Sequence, residues 1–561
     1  MEWKQAEHSA SYHLLMENGY SPLMAAALSK AGICSADEAQ RHLHHEEFEN
    51  PGRIRNIDKA TDIIWKHIYD GNRICIYGDY DADGITASAV MFLALRKLGA
   101  NVTVRLPDRI EEGYGISIKA IKEQADLGTK LFITVDNGIR AIEETKYVKE
   151  LGLDIVVLDH HEPGDEIPDA DAVIDLHIPG ETFPDIELTG SGLAWKVAHY
   201  MLEQVGEHDF AMSLVDIAAI GTVGDVAPLK NENRAIVKRA IRMMRTPGYH
   251  RPGVSALMKG TEHITAEDIA FRLAPCLNAP GRLSSGGASL PLILLIEDDP
   301  KTAMELASFV HAENERRKDL QRECYSAIRE EAEQRIANGE KVLVILAENA
   351  PSGIAGLLAG NLKEEFGYPS IVFCPKKNIQ GETVWTGSAR SVDAFHILNA
   401  IDGCKEHLLA YGGHKLAAGL TIAADKHKLD SFRNAINREA EYLTEEMLET
   451  VTYWDIELSQ EELTDELYTQ MEMLEPFGAG APKPIVKMQA KVSGDKGHAF
   501  MGAESQHLKL STENCVMVGF SLAEKYMENS LPTELTVFGN LSLNYYRGAC
   551  AKQVSLLDFT C

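Results

Sequence analysis

Tyr77-Gly78-Asp79-Tyr80-Asp81-Ala82-Asp83-Gly84 is the stretch on which the reading of this chain turns. The apolar, β-favouring residues 74–77 precede it and a long apolar run from Ile85 follows. The pattern predicts a buried strand, an acidic loop and a buried helix. Three carboxylates on alternate residues oppose one another's ionisation, and a divalent cation relieves that cost. An acidic loop that merely caps the helix is the plainer reading of Asp-x-Asp alone. Later acidic and imidazole positions tip the balance toward a metal site.

At 561 residues the chain exceeds one hydrophobic core, and three to four domains are expected. No apolar segment is long enough to span a bilayer, and Met1-Glu2-Trp3-Lys4 does not open a secretory signal. Nine scattered cysteines without a Cys-x-x-Cys pair predict reduced thiols in a cytoplasm. The formal net charge of −29 argues against a nucleic-acid binder, unless a basic channel is set into an acidic body.

Strand-like and helical segments alternate between about 55 and 240. Strands are expected near 73–77, 102–106, 131–135, 155–158 and 172–174, with helices such as 85–98 and 141–151 between them. This is the pattern of a parallel sheet with helices on both faces, whose ligands bind beyond the strands' carboxyl ends. Polar residues follow those ends: Asp136-Asn137-Gly138, then Asp159-His160-His161-Glu162, then Gly224-Asp225 after an apolar helix. Each alone reads as a turn or polar loop; together they form a constellation. Carboxylates with one or two imidazoles suit Mn²⁺, with Mg²⁺ the alternative, and no thiol is near for structural zinc. Five or six ligands fit two ions roughly 3.5–4 Å apart, sharing a bridging carboxylate and water.

These motifs, in this order, resemble those of the DHH phosphoesterase superfamily. Gly-Asp-Tyr-Asp-Ala-Asp-Gly is similar to the form found in the RecJ family of single-stranded-DNA exonucleases. The resemblance implies Asp81, Asp83, Asp136 as the bridge, His160 and Asp225 as metal ligands, and Asp79 as an alternative or supporting one. It also implies His161 on the scissile phosphate, with Asp159 orienting an imidazole.

The rest of the chain extends the resemblance. Asn278-Ala279-Pro280-Gly281-Arg282 reads alone as a Pro-Gly turn; the family likeness puts Asn278 and Arg282 beside the substrate, with Arg109 doing similar work. Residues 300–338 predict a charged helix on the order of 50 Å joining two lobes. A second α/β lobe follows, resembling the DHHA1 domain. There Ser388, Arg390, Gly412, Gly413 and His414 are implied in binding the nucleotide and its terminal phosphate. Pro351-Ser352-Gly353 departs from the usual His- or Asn-Pro-Gly, and Ala481 stands where Asn is commoner. Short strands near 451–457, 485–492, 515–520 and 534–541 suggest an OB-like β-barrel, with Tyr545-Tyr546-Arg547 and Phe500 as stacking residues.

The expected architecture is therefore α/β: residues 1–54 a helical extension docking on the next domain, 55–240 the DHH domain, 241–338 a helical connector, 339–447 DHHA1 and 448–561 the barrel. The expected activity is a Mn²⁺- or Mg²⁺-dependent 5′→3′ exonuclease on single-stranded DNA, releasing nucleoside 5′-monophosphates in repair and recombination. A single-strand-binding protein and a helicase are implied as partners, and a monomer free of membranes is expected. The competing readings are a DHH phosphodiesterase for short oligonucleotides or cyclic dinucleotides, and a non-catalytic replication scaffold.

Overall fold

The computed structural model describes the chain apart from residues 1, 45, 379–380, 450, 495–496 and 503 and the Tyr546 side chain. It opens with a short strand, β1 (Glu2–Gln5), and three helices, α1 (Ala10–Glu17), α2 (Pro22–Lys30) and α3 (Ala36–His44). Then come α4 (Ile57–Tyr69), β2 (Arg73–Tyr77), α5 (Ala82–Lys97), β3 (Asn101–Arg105), α6 (Ile118–Asp126), β4 (Thr129–Val135), α7 (Ile142–Glu150), β5 (Asp154–Leu158) and β6 (Ala172–Ile174). The helices α8 (Gly190–Glu203), α9 (His208–Ser213) and α10 (Val215–Gly224) complete this part.

The five strands pair in the order β3-β2-β4-β5-β6, all parallel. Because β2 is flanked by β3 on one side and β4 on the other, successive crossovers leave it in opposite directions. A crevice opens where they diverge, beyond the carboxyl ends of β2 and β4. The acidic loop after β2 and Asp136 after β4 occupy that crevice. The strands are nearly continuous apolar runs because helices cover both faces.

The first lobe's core does not stop at 240 as expected. Val254, Leu257, Leu277, Leu294 and Ala303 are buried in the same cluster as Ile76 and Ile133. Only the later part of the helix Pro300–Ala337 connects lobes: Ala303, Ala307 and Val310 bury in the first, while Cys324, Ile328 and Ala332 bury against Ile345 and Leu358 of the second. The second sheet runs β10 (Ala410–Gly413), β11 (Ala417–Ala423), β9 (Thr383–Arg390), β8 (Ser370–Lys377), β7 (Leu343–Leu346). It is antiparallel except for β7–β8. The Asn278 motif is likewise not a free turn; it forms the helix Ala274–Leu283 with Pro280 inside it.

The C-terminal domain is a seven-stranded sheet made of β13 (Ile456–Glu457), β14 (Val486–Lys491), β18 (Glu534–Tyr546), β19 (Ala549–Thr560), β17 (Val516–Gly519), β16 (His507–Ser511) and β15 (His498–Met501) in spatial order. A bulge at Phe538/Gly539 bends its longest pair. Its core corrects one expectation. Leu15, Leu23 and Leu28 of the N-terminal helices are buried among Val486, Leu535 and Phe559, so residues 1–54 complete the last domain rather than serving only the next one. β1 pairs in parallel with β12 (Val451–Trp454), and the Trp3 ring stacks on Phe538 at 4.2 Å while its Nε1 donates to Asp558 at 2.9 Å. These apolar faces had no partner nearby in sequence, which is why their docking site was not readable from it. Among the described residues no helix is long and apolar enough to cross a membrane.

Leu28 is fully buried, and truncation to Ala should cost about 3 kcal/mol. Amide exchange will report where: Leu28→Ala should deprotect β14–β19 and leave β2–β6 unchanged. Loss of protection confined to residues 55–158 would contradict this placement.

Candidate metal centre

Each motif is delivered by a different element to the crevice. Asp81 caps α5: its Oδ1 accepts from the backbone N–H of Asp83 and Gly84, each at 3.1 Å. The plain reading of this loop as a helix cap is thus correct, and it occupies one carboxylate oxygen. Gly84 must lack a side chain, since a Cβ there would lie 2.5 Å from the Asp79 nitrogen. Asp83 is 1 % exposed and sits between two helix starts, accepting from Gly190 N at 2.7 Å and Ser191 N at 3.0 Å at the beginning of α8. Those N–H groups and the positive end of α8 compensate its charge. Asp136 holds a left-handed backbone conformation, φ 61°, with its N–H on Leu158 O, which turns its carboxylate into the crevice.

The donor atoms converge. Asp79, Asp81 and Asp136 form one group within 4.8 Å of one another, Asp83, His160 and Asp225 a second, and Asp136, His160 and His161 a third. His160 Nε2 lies 3.1 Å from Asp136 Oδ1 and 3.7 Å from Asp83 Oδ2, so Asp136 and His160 link the two carboxylate groups. Burial, then the Asp83, Asp81 and Asp79 charges, holds the Asp136 carboxyl well above its ordinary range; burial and Asp81 do the same to Asp79. Asp225, at the solvent-facing lip, is pushed up to about 8 by lost hydration and by Asp83 and Asp81. Asp79 Oδ1 is buried with no hydrogen-bond partner. Cations would remove all of these costs at once, and the oxygen-rich donor set with one central imidazole fits a pair of Mn²⁺ or Mg²⁺ ions.

His161 is built differently. Asp159, 1 % exposed, accepts from the backbone N–H of Ile139, His160 and His161 and faces His161 Nδ1 at 2.8 Å. Burial alone would lower His161, but the Asp159 carboxylate outweighs it and raises the imidazole to about 9. The ring is held by Nδ1, with Nε2 left for another partner. Tyr114, which sequence reasoning missed between Gly113 and Gly115, adds a hydroxyl 3.1 Å from His161 Nδ1.

The second lobe closes the cleft. A cavity of about 480 Å³ is lined by Tyr114, Arg140, His161 and, from across the gap, His414. Gly412 and Gly413 precede it on the exposed edge strand β10. Ser388 and Arg390 point to the start of the helix Ala355–Phe366, where a Cβ on Gly356 would lie 3.0 Å from both. Arg282 donates to Gly353 O at 3.1 Å and so ties the lobes together. Burial and the Arg109 and Arg317 charges lower Arg282 to about 9, and burial and Arg109 also lower Arg390. Arg109, Arg317 and Arg390 are thus near enough to Arg282 for their charges to act on it. Arg109 lies over the Tyr80 ring at 4.7 Å. Arg317 was hidden in a charged helical run. Asn278 has a role that was not expected: its Oδ1 accepts from Ala82 N at 2.9 Å, so it braces the acidic loop.

From Gly224, beside Asp225, adjoining cavities of about 530 and 550 Å³ share Phe271, Phe477 and Lys483 and run onto the C-terminal sheet. Phe271 and Phe520 are 75 % and 70 % exposed there. Tyr545 lines this groove, stacked on His263 at 3.9 Å. Phe500 packs on the domain core, and the Tyr546 side chain lies outside the described residues.

The close packing around Asp83 gives a direct test. A Cβ on Gly190 would lie 2.5 Å from Asp136 Cβ and 2.9 Å from Asp83 Oδ2. Gly190→Ala should keep the fold by circular dichroism yet weaken Mn²⁺ binding at least tenfold by calorimetry; unchanged affinity would contradict this geometry.

Comparison with known proteins agrees with the geometry. The model of the DHH family, N-terminal domain, matches residues 73–222; that of the DHHA1 domain, 339–441; that of the RecJ OB domain, 454–558. The single-stranded-DNA-specific exonuclease RecJ of Bacillus subtilis is 35% identical over 551 residues, 96% of this chain and 68% of that protein. The protein of the same name from Escherichia coli is 32% identical, over 83% of this chain and 82% of its own. The crystal structure of RecJ with Mn²⁺ from Thermus thermophilus superposes with a TM-score of 0.81 at 27% identity, covering 100% of this chain and 79% of that one. An exonuclease RecJ bound to manganese gives 0.61 at 31% identity over 71% of this chain and 97% of its own. With this identity carried over most of both lengths, the chain belongs to the RecJ family of single-stranded-DNA-specific exonucleases.

Proposed function

We propose that the chain is a divalent-metal-dependent exonuclease that hydrolyses single-stranded DNA from its 5′ end to nucleoside 5′-monophosphates. The observation that carries this reading is the convergence of Asp79, Asp81, Asp83, Asp136, His160 and Asp225 on one crevice, with half-buried arginines beside it. When bound, a pair of Mn²⁺ or Mg²⁺ ions supplies an activated water and neutralises phosphoryl charge. Asp79, Asp81, Asp83, Asp136, His160 and Asp225 would hold the ions, with Asp136 the carboxylate they would share. His161, steered by Asp159, offers Nε2 to a phosphate oxygen as charge builds there. Arg282, Arg390 and Ser388, with Arg109 near, receive the terminal phosphate, and Gly412, Gly413 and His414 close over the nucleotide. The groove past Phe271, Phe477 and Phe520 takes the strand onto the C-terminal sheet by base stacking. In repair and recombination within the cytoplasm, a helicase would expose the strand and a single-strand-binding protein would share it.

Strands labelled at either end, digested with Mn²⁺ or with EDTA beside a blunt duplex, test the proposal. Mononucleotides should appear first from the 5′ label, only with Mn²⁺ and only from single strands. Asp136→Asn, which keeps an Asx residue at the left-handed position, should lower turnover by about three orders of magnitude while strand affinity stays within threefold. Release of the 3′ label first, or turnover in EDTA, would refute it.

The shifted carboxyls also set a pH dependence. Asp225 titrates at 3.8 in an open chain and about 8 here, so between those values the folded state binds more protons than the unfolded one. The contribution of Asp225 to ion-free stability is then fully present below about pH 4 and is lost as pH rises through about 8; His161, raised from 6.5 to about 9, acts in the same direction. In EDTA the Tm should fall from pH 5.5 to 8.5, Mn²⁺ should abolish the fall, and Asp225→Asn should flatten it. A Tm rising with pH in EDTA would contradict the crowding.

A further inference from the structure

A second group of ligating side chains lies at the other end of α8. His199 and Glu203 are four residues apart on its last turns, and His208 begins α9 after a short loop. His199 Nε2 and His208 Nδ1 approach the same oxygen, Glu203 Oε1, at 3.0 and 2.9 Å. The donor atoms of all three lie within 4.8 Å of one another. Metal–nitrogen bonds of about 2.0–2.1 Å give tetrahedral edges of about 3.3 Å, so these spacings need open by only a few tenths of an ångström. His199 is 6 % exposed and stacks on Trp195 at 5.1 Å, and its Nδ1 is buried without a hydrogen-bond partner. Packing rather than hydrogen bonding therefore aims Nε2 at Glu203. Trp195 Nε1 in turn donates to Ala211 O of α9 at 2.9 Å. Glu203 and His208 are open to solvent, which leaves an entry path and room for water as a fourth ligand.

We propose that His199, Glu203 and His208 form a divalent transition-metal site that staples α8 to α9, and that its ion is zinc. Two imidazoles and one carboxylate in a tetrahedral arrangement favour Zn²⁺ over harder ions, whereas the oxygen-rich crevice at the start of α8 suits Mn²⁺ and Mg²⁺. At about 1.5 Å per residue the two sites stand roughly 20 Å apart along α8.

The full-length protein in excess Mn²⁺, titrated with Zn²⁺, tests the site. Wild type should retain one zinc per chain more than His208→Ala and Glu203→Gln after dialysis, with zinc affinity at least tenfold weaker in both variants. Zinc should raise the Tm of wild type alone, and Mn²⁺-dependent nuclease activity of the variants should match wild type. X-ray absorption at the zinc edge should show two imidazoles. Equal zinc content in wild type and both variants, or an all-oxygen zinc shell, would overturn the proposal. Should His208→Ala lose its fold, Glu203→Gln gives the same reading alone.

Discussion

Repulsion among carboxylates is the constraint around which this molecule is arranged. Asp79, Asp81, Asp83, Asp136 and Asp225 are brought within a few ångströms of one another, most of them away from water. The backbone meets part of the cost. Asp83 lies across the N-terminus of α8, Asp81 across that of α5, and Asp159 gathers three backbone N–H groups. What remains uncompensated at Asp136, Asp79 and Asp225 is binding energy held in reserve for cations. The sheet order places these groups together, since β2 and β4 are neighbours at the point where the crossovers diverge.

A chain with a formal net charge of −29 can act on a polyanion because its few relevant cations are concentrated. Arg109, Arg282, Arg317 and Arg390 act on one another strongly enough to depress Arg282. Their mutual repulsion mirrors that of the carboxylates, so the cleft has two destabilised halves of opposite sign. A phosphate end would relieve one as metal would relieve the other. Farther out, the groove offers exposed phenylalanines and mostly paired cations, such as Lys483 on Glu267 and Arg272 on Asp268. Contacts of that kind hold bases more than phosphates.

Much of this was legible in the sequence where the signal is local. Period and turn chemistry placed β2 at 73–77 and β6 at 172–174 to the residue, and the long helix within a residue of its ends. The carboxylates and imidazoles that converge in the crevice were readable because they follow the ends of strands or of an apolar helix as polar residues in apolar surroundings. What could not be read depends on contacts between distant segments. Gly190 and Ser191 belong to a small-residue helix start, Thr189-Gly190-Ser191-Gly192, that looks like any N-cap until Asp83 is seen against it. Asn278 carried a plausible ligand side chain, but its use as a brace for Ala82 exists only in three dimensions. His199 and His208 stand in an unremarkable amphipathic stretch whose loop alone brings their rings together.

The N-terminal helices sharing a core with the last domain impose an order on biosynthesis. Leu15, Leu23 and Leu28 leave the ribosome about 460 residues or more before β14 to β19, which cover them. At about 5–20 residues per second, that leaves roughly 23–92 seconds during which a greasy helical segment has no native home. The first lobe can fold meanwhile, because its strands and helices are contiguous in the chain. Ring closure by β1 and Trp3 is accordingly a late event, and nascent chains of this protein would be natural clients for a holding chaperone.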